Sequence, residues 1–197
     1  WENRAKKTVL QSSTNYAMLA VDLRTATREA RWTGVKIKKT GTAIDSDIFS
    51  LNVYKDTNFS NELDAGDEKL TLGTDKLIEG VATINLPENK YQTIHSYEYE
   101  LLQKNINPSW NQRYFIAFDI NPTAIPANYV GVIIENTTDF FVVSPDGVEF
   151  KSSPPQPQSD FSTITDYPDK VTVELYDISP PAVIQGDTDK ALVWVKM

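Results

Sequence analysis

Apolar residues recur at every second position through most of the chain, the period of a half-buried β-strand. Ala17, Leu19, Val21 and Leu23 fall on one face of a first segment, and Thr33, Val35 and Ile37 on one face of a second. Phe49, Leu51 and Val53 alternate with Ser50 and Asn52, and Val81, Thr83, Ile84 and Leu86 outline another strand. Tyr114 to Ile120 and Val130 to Ile134 are almost continuously apolar, which predicts central strands. Phe140 to Val143 and Val148 to Phe150 flank Ser144-Pro145-Asp146-Gly147, a hairpin turn by composition. Val171, Val173 and Leu175 line a further strand ahead of Pro180-Pro181. Helix formers gather only between Tyr97 and Asn105, where one short helix or an excursion between strands is expected. The pattern predicts an all-β chain folded as an antiparallel β-sandwich.

Three prolines in Ser152-Ser153-Pro154-Pro155-Gln156-Pro157 favour extended, solvated backbone. The expected organisation is a sandwich body over 1–151, a linker over 152–160 and a β tail over 161–197. The tail repeats the start of the body. Residues 8–21 align without gaps on residues 182–195, at an offset of 174, with five identities in 14 positions. Both copies read as a short strand, a polar turn (Ser12-Ser13-Thr14-Asn15, Gly186-Asp187-Thr188-Asp189) and an alternating strand. One reading is a tandem array with one copy here and the start of the next; the other is two unrelated hairpins of similar composition. Ala191, Val193, Val195 and Met197 would form the apolar face of the last strand, expected to cap its own body or add to a sheet of a neighbouring copy. The chain opens at Trp1 and closes within an apparent strand, and is read as part of a longer or processed protein. The lack of a leader is therefore no guide to export.

Composition narrows the chemistry. The 197 residues carry a net charge of −8, which argues against a nucleic-acid partner. No apolar run is long enough to span a membrane as a helix. There is no cysteine and one histidine, His95, which excludes thiol catalysis, disulfides and multi-histidine metal centres. Glu98 and Glu100 would share a strand face rather than oppose one another across a scissile bond. No enzymatic activity is expected.

The sharpest chemical signal is Asp56-Thr57-Asn58-Phe59-Ser60-Asn61-Glu62-Leu63-Asp64-Ala65-Gly66-Asp67-Glu68. Counted from Asp56, oxygen-bearing side chains fall at loop positions 1, 3, 5, 9 and 12 (Asp56, Asn58, Ser60, Asp64, Asp67), with the Glu62 carbonyl at 7. That is the ligand rhythm of a twelve-residue Ca²⁺ loop, in which alternate residues aim hard oxygens at one point. Residues 56–68 hold five acidic side chains and no Lys or Arg, so most of the net charge of −8 sits there. The alternative is a solvated acidic turn between strands. No helices flank the loop, so the ion would pin a connection rather than drive an opening.

Trp32-Thr33-Gly34-Val35-Lys36-Ile37, Lys39 to Ile48, the strand into Tyr54-Lys55-Asp56-Thr57-Asn58, Asp64-Ala65-Gly66-Asp67-Glu68 and Gln112 to Ile120 together resemble a known kind of module. They are similar to the repeated calcium-stabilised, immunoglobulin-like β-sandwich modules of large secreted and cell-surface proteins of bacteria and archaea. The resemblance also takes in Val183 to Thr188; residues 91–111 look like an insertion. It implies an immunoglobulin-like, calcium-stabilised structural unit located outside the cell or on its surface.

Asp45 and Asp47 are candidates for a second cation site, or for a turn with side-chain caps. Gly186 to Asp189 reads mainly as a turn. Trp32 and Trp110, with Tyr91, Tyr97, Tyr99, Tyr114 and Trp194, could stack on sugar rings or fill a core. Asn58-Phe59-Ser60 and Asn136-Thr137-Thr138 fit glycosylation acceptors. The expected function is a non-catalytic structural module of a surface layer, filament, stalk or adhesin, joined to neighbouring copies by strand addition and in contact with surface polysaccharide. The alternative is a carbohydrate-binding module of a secreted enzyme.

Overall fold

A computed structural model of the chain describes residues 1–26, 28–96, 112–151, 156–167, 174–177 and 193–196. The segment 97–105, Trp110, most of the proline-rich run and most of residues 182–195, the expected second copy of 8–21, lie outside these residues. The chain forms two compact units, Trp1–Asp166 and Tyr167–Met197.

The first unit is all-β. One sheet holds β1 (Glu2–Asn3), β3 (Tyr16–Asp22), β9 (Arg113–Ile120), β5 (Ile48–Lys55) and β6 (Glu68–Lys69), in that spatial order and antiparallel throughout. The other is built on β4 (Glu29–Gly41), whose 13 residues pair with β7 (Val81–Asn85), β8 (Gln92–His95), β10 (Tyr129–Ile133) and β11 (Phe140–Val142). Beyond β10 lie β12 (Ser162–Thr165) and then β2 (Thr8–Leu10), which runs parallel to β12. The two nearly continuous apolar strands, β9 and β10, both sit inside their sheets. Among the described residues, helical structure is limited to short 3₁₀ turns at Asp45–Asp47, Glu88–Lys90 and Thr137–Asp139.

Side chains from the two sheets meet in one core. Met18, Leu19, Val21, Leu51, Val53, Tyr114, Ile116 and Phe118 face Trp32, Val35, Ile37, Ile84, Val130, Val132 and Ile164. Trp32 is 1% exposed, stands edge-on to Tyr114 at 4.8 Å and donates its indole N–H to the Gly34 carbonyl at 2.6 Å.

Three expectations about the strands need correction. A bulge between Ala17 and Leu19 shifts the phase of β3, so Tyr16 and Met18 point inward before it, and Leu19 and Val21 after it. A bulge between Ile48 and Ser50 does the same in β5. Phe49 is thereby turned outward, 57% exposed, with the Lys76 ammonium 5.7 Å from its ring, while Leu51 and Val53 stay buried. The turn at Ser144–Gly147 forms, but Val148 to Phe150 makes no ladder. Its side chains are drawn against the core instead, Phe150 edge-on to Phe140 at 6.1 Å.

The strand Ser162–Thr165, expected in the tail, belongs to the body. Residues 157–159 run back along β10, with Ile134 N–H donating to Pro157 O at 2.9 Å and Ser159 N–H to Val132 O at 2.8 Å. The second unit is a two-stranded antiparallel sheet of β13 (Glu174–Asp177) and β14 (Val193–Lys196).

Truncating the central indole should be costly. Trp32→Ala is expected to lower stability by about 3–5 kcal/mol, the range for removing a large buried aromatic, read as a lower urea midpoint.

Candidate functional site

Strand β5 ends where the acidic loop begins, and the ladder carries on one residue further: Asp56 N–H donates to Arg113 O at 3.0 Å. This holds Asp56 inside the protein, 0% exposed. Its Oδ2 accepts from Asn61 N–H at 3.1 Å, whereas its Oδ1 is buried without a hydrogen-bond partner. The nearby Arg113 guanidinium gives its hydrogen bonds to Asp22 at 2.8 and 3.0 Å and to Glu2 at 3.2 Å, and is also stabilised through space by the Asp56 charge.

The loop then folds back over the outer face of the five-stranded sheet. Leu63, its single aliphatic side chain larger than alanine, packs on Ala20, Tyr54, Phe115 and Ala117. Arg4 ties down the neighbouring residue, donating to Glu62 Oε1 at 2.9 Å, with its guanidinium 5.9 Å from the Phe115 ring centre. The apolar outer face of β9 is thus covered by the acidic loop itself. The Glu62 side chain leaves the loop interior and its carbonyl stays within, accepting from Ser60 Oγ at 2.7 Å.

Hydrogen bonds knit the remaining expected ligands together. Asn58 Nδ2 donates to both Asp64 oxygens, at 3.0 and 3.1 Å, and Asn58 Oδ1 accepts from Ser60 N–H at 3.0 Å. Asp64 Oδ1 also takes Gly66 N–H at 2.7 Å. Asp67 accepts from Asp64 N–H at 3.0 Å and from Thr57 N–H at 3.3 Å. The tight path places Phe59 and Asn61 at φ of 59° and 60°, and asparagine tolerates that region better than most residues. A Cβ on Gly66 would stand 2.6 Å from Asn58 Nδ2 and 3.0 Å from Asp64 Oδ1, so glycine leaves room for the Asn58–Asp64 contact.

The two outer carboxylates titrate in opposite senses. Asp64 is held below the usual aspartate value by the Asn58 amide, Gly66 N–H and Ser60. Asp67 is pushed up, first by burial and then by the negative charges of Asp56 and Asp64, against the pull of its two N–H donors. Asp67 is therefore near enough to feel the charges of both Asp56 and Asp64. Among the described residues, no three carboxylate or histidine side chains stand in an arrangement already shaped to hold a metal ion.

The other candidates are placed differently. Asp47 is 1% exposed and spends both oxygens on the fold: Oδ1 accepts from Ile125 N–H at 2.9 Å, Oδ2 from Ile44 N–H at 2.9 Å and from Asn128 Nδ2 at 3.3 Å. Asp45 turns to Gly80 N–H at 2.9 Å and to Lys39 at 3.9 Å. The pair clamps turns and does not converge. Trp32 lies in the core and has no face to offer a sugar, which removes it as a stacking residue; Trp110 is outside the described residues. Tyr91 is half-buried, with the Arg31 guanidinium 4.7 Å from its ring centre. His95 stands 3.1 Å from Glu29, an acid rather than a nucleophile it could activate.

Sequence reasoning missed the Leu63 anchor and the polar network beneath the next turn. Asn52, 0% exposed, donates to Asp119 at 3.0 Å and accepts from Thr71 at 3.2 Å, while Asp119 Oδ1 takes Asn15 N–H at 2.7 Å. A lone leucine in an acidic run, and polar residues alternating with Leu51 and Val53, were the available signals. Compared with known proteins, the chain matches no family model, no characterised sequence and no solved structure.

The raised Asp67 fixes the sign of a pH effect without added cation. An aspartate whose folded value lies above its ordinary 3.8 favours the folded state fully below that value, and the contribution is lost as pH rises through the folded one. Asp64 acts in the other window, below 3.8. In EGTA, wild-type protein should therefore gain stability relative to Asp67→Asn as pH is lowered from 7 toward 4, measured by urea unfolding at each pH.

Proposed function

We propose that the chain is a non-catalytic structural module of the cell exterior, belonging to a surface layer, filament, stalk or adhesin, and stabilised by Ca²⁺ in the loop 56–67. The observation that carries this reading is the buried Asp56 Oδ1 without a hydrogen-bond partner, beside two further carboxylates, one of them raised first by burial and then by the negative charges of the other two. A buried acceptor left unsatisfied costs about 1–3 kcal/mol, and a cation is the partner that a group of like charges calls for.

The donor chemistry suits calcium. Asp56, Ser60, Asp64 and Asp67, the Glu62 carbonyl and the Asn58 amide oxygen are all hard oxygens on one short loop. Asn58 would turn its amide over to present Oδ1 in place of Nδ2. The bound ion would supply charge neutralisation and cross-linking of the loop, and no chemical step. Asp rather than Glu at position 12 shortens the bidentate reach, which points to the weak end of the calcium scale, about 10⁻⁴–10⁻³ M, where extracellular modules work. Leu63 and Arg4 already hold the loop against β9, so an ion would lock a cover in place over the sheet.

Calcium that binds only the folded loop stabilises by mass action, by about 2.7 kcal/mol at a hundredfold excess over Kd. For a chain of this size that is a rise in Tm of about 5–10 °C over the EGTA-treated protein. Asp56→Asn should abolish the rise, while Asp45→Asn should keep it. Equal Tm values with calcium and with EGTA, and no heat of binding in calorimetry, would rule calcium out as the stabilising ion.

A further inference from the structure

The second unit repeats the first in its backbone register. In the body, β1 pairs with β3 through Glu2↔Ala20 and Asn3↔Leu19. In the second unit, β13 pairs with β14 through Glu174↔Lys196, Leu175↔Val195, Tyr176↔Trp194 and Asp177↔Val193, a ladder two pairs longer. Adding 174 to each residue of the β1–β3 pairs yields the last two of these four. The same offset aligns residues 8–21 with residues 182–195. That alignment contains neither β1 nor β13, so the register is a separate observation. A slip of one residue in either strand would break it, because register and side-chain facing change together. Asn3 and Asp177, a short amide and a short acid, occupy equivalent positions.

We propose that β13 and β14 are the β1–β3 strand pair of a second copy of the sandwich, and that the other edge of β14 takes a strand patterned like β9. In the body β3 lies between β1 and β9, pairing with β9 from Tyr16↔Phe118 to Asp22↔Arg113. Among the described residues β14 pairs with β13 alone. An edge that is unpaired among the described residues, and whose equivalent in the body is filled by Arg113–Ile120, selects an extended, mostly apolar partner bonded through the backbone. The occupant is the β9 strand of the same second copy. This specifies the array in the proposed structural reading and does not depend on calcium.

Two experiments test it on the intact chain, which has no cysteine of its own. In the first, four double-cysteine variants are oxidised with glutathione: Asn3→Cys with Leu19→Cys, Glu2→Cys with Ala20→Cys, and their counterparts Asp177→Cys with Val193→Cys and Tyr176→Cys with Trp194→Cys. Adjacent pairs on an antiparallel ladder alternate between two geometries that differ in side-chain separation. Whichever body pair closes faster, its counterpart must be the faster pair in the second unit. The reverse ranking, or no closure in the second unit, overturns the proposal.

In the second, residues 24–166 are fused after Met197, so that 175–197 stand where 1–23 stand in the body. Amides of Val193–Val195 should then exchange as slowly as those of Leu19–Val21. If the fused segment stays unprotected, while residues 1–166 fused at the same point fold, the strand pairs are not equivalent. A positive result with no calcium response would retain the array and discard the ion, so the two readings fail separately.

Discussion

Burying a carboxylate is costly unless each oxygen has a partner, and Asp56 is carried into the interior by the ladder itself. Its N–H continues the pairing of β5 with β9, so its position is dictated by the central strand of the sheet. The rest of the loop is arranged around that placement. The chain turns through two left-handed residues, returns one oxygen's worth of hydrogen bonding through Asn61, and lays Leu63 on the back of β9. The other oxygen is the place where the proposed ion belongs.

The same strand explains why the loop must lie where it does. β9 is apolar on both faces, with Tyr114, Ile116 and Phe118 on the inner side and Phe115 and Ala117 on the outer. The inner side has the second sheet. The outer side has Leu63, Ala20 and Tyr54, under an Arg4 that bridges Glu62 and Glu2. A loop dense in negative charge is an awkward cover for an apolar strand unless its charges are neutralised; Asp67, pushed up by burial and then by the charges of Asp56 and Asp64, carries part of that cost.

Much of this was legible in the chain. Period-two alternation identified the strands, and the unbroken apolar runs marked β9 and β10 as interior. The spacing of oxygens picked out residues that do share one loop. The failures have physical causes. A bulge adds one residue to one strand and reverses every facing before it, which is how Phe49 came to lie outside and Met18 inside. Val148 and Phe150 have strand composition but find their burial without a ladder. Asp47 has the appearance of a ligand because turn clamps and cation sites draw on the same oxygen chemistry; only its three N–H partners tell them apart. Trp32 could not be sorted between core and platform until its neighbours Tyr114 and Phe140 were placed.

The role of the loop turns on what stands beside Asp56 Oδ1 when calcium is supplied. A crystal structure of the chain grown in millimolar CaCl₂, with anomalous data collected at long wavelength, measures that directly. The expected result is an anomalous peak about 2.3–2.6 Å from Asp56 Oδ1, with Asp64 and Asp67 oxygens and the Glu62 carbonyl in its shell. An unoccupied loop with Asp56 Oδ1 bonded to an ordered water, and Asn58 Nδ2 still on Asp64, would contradict a calcium-pinned module.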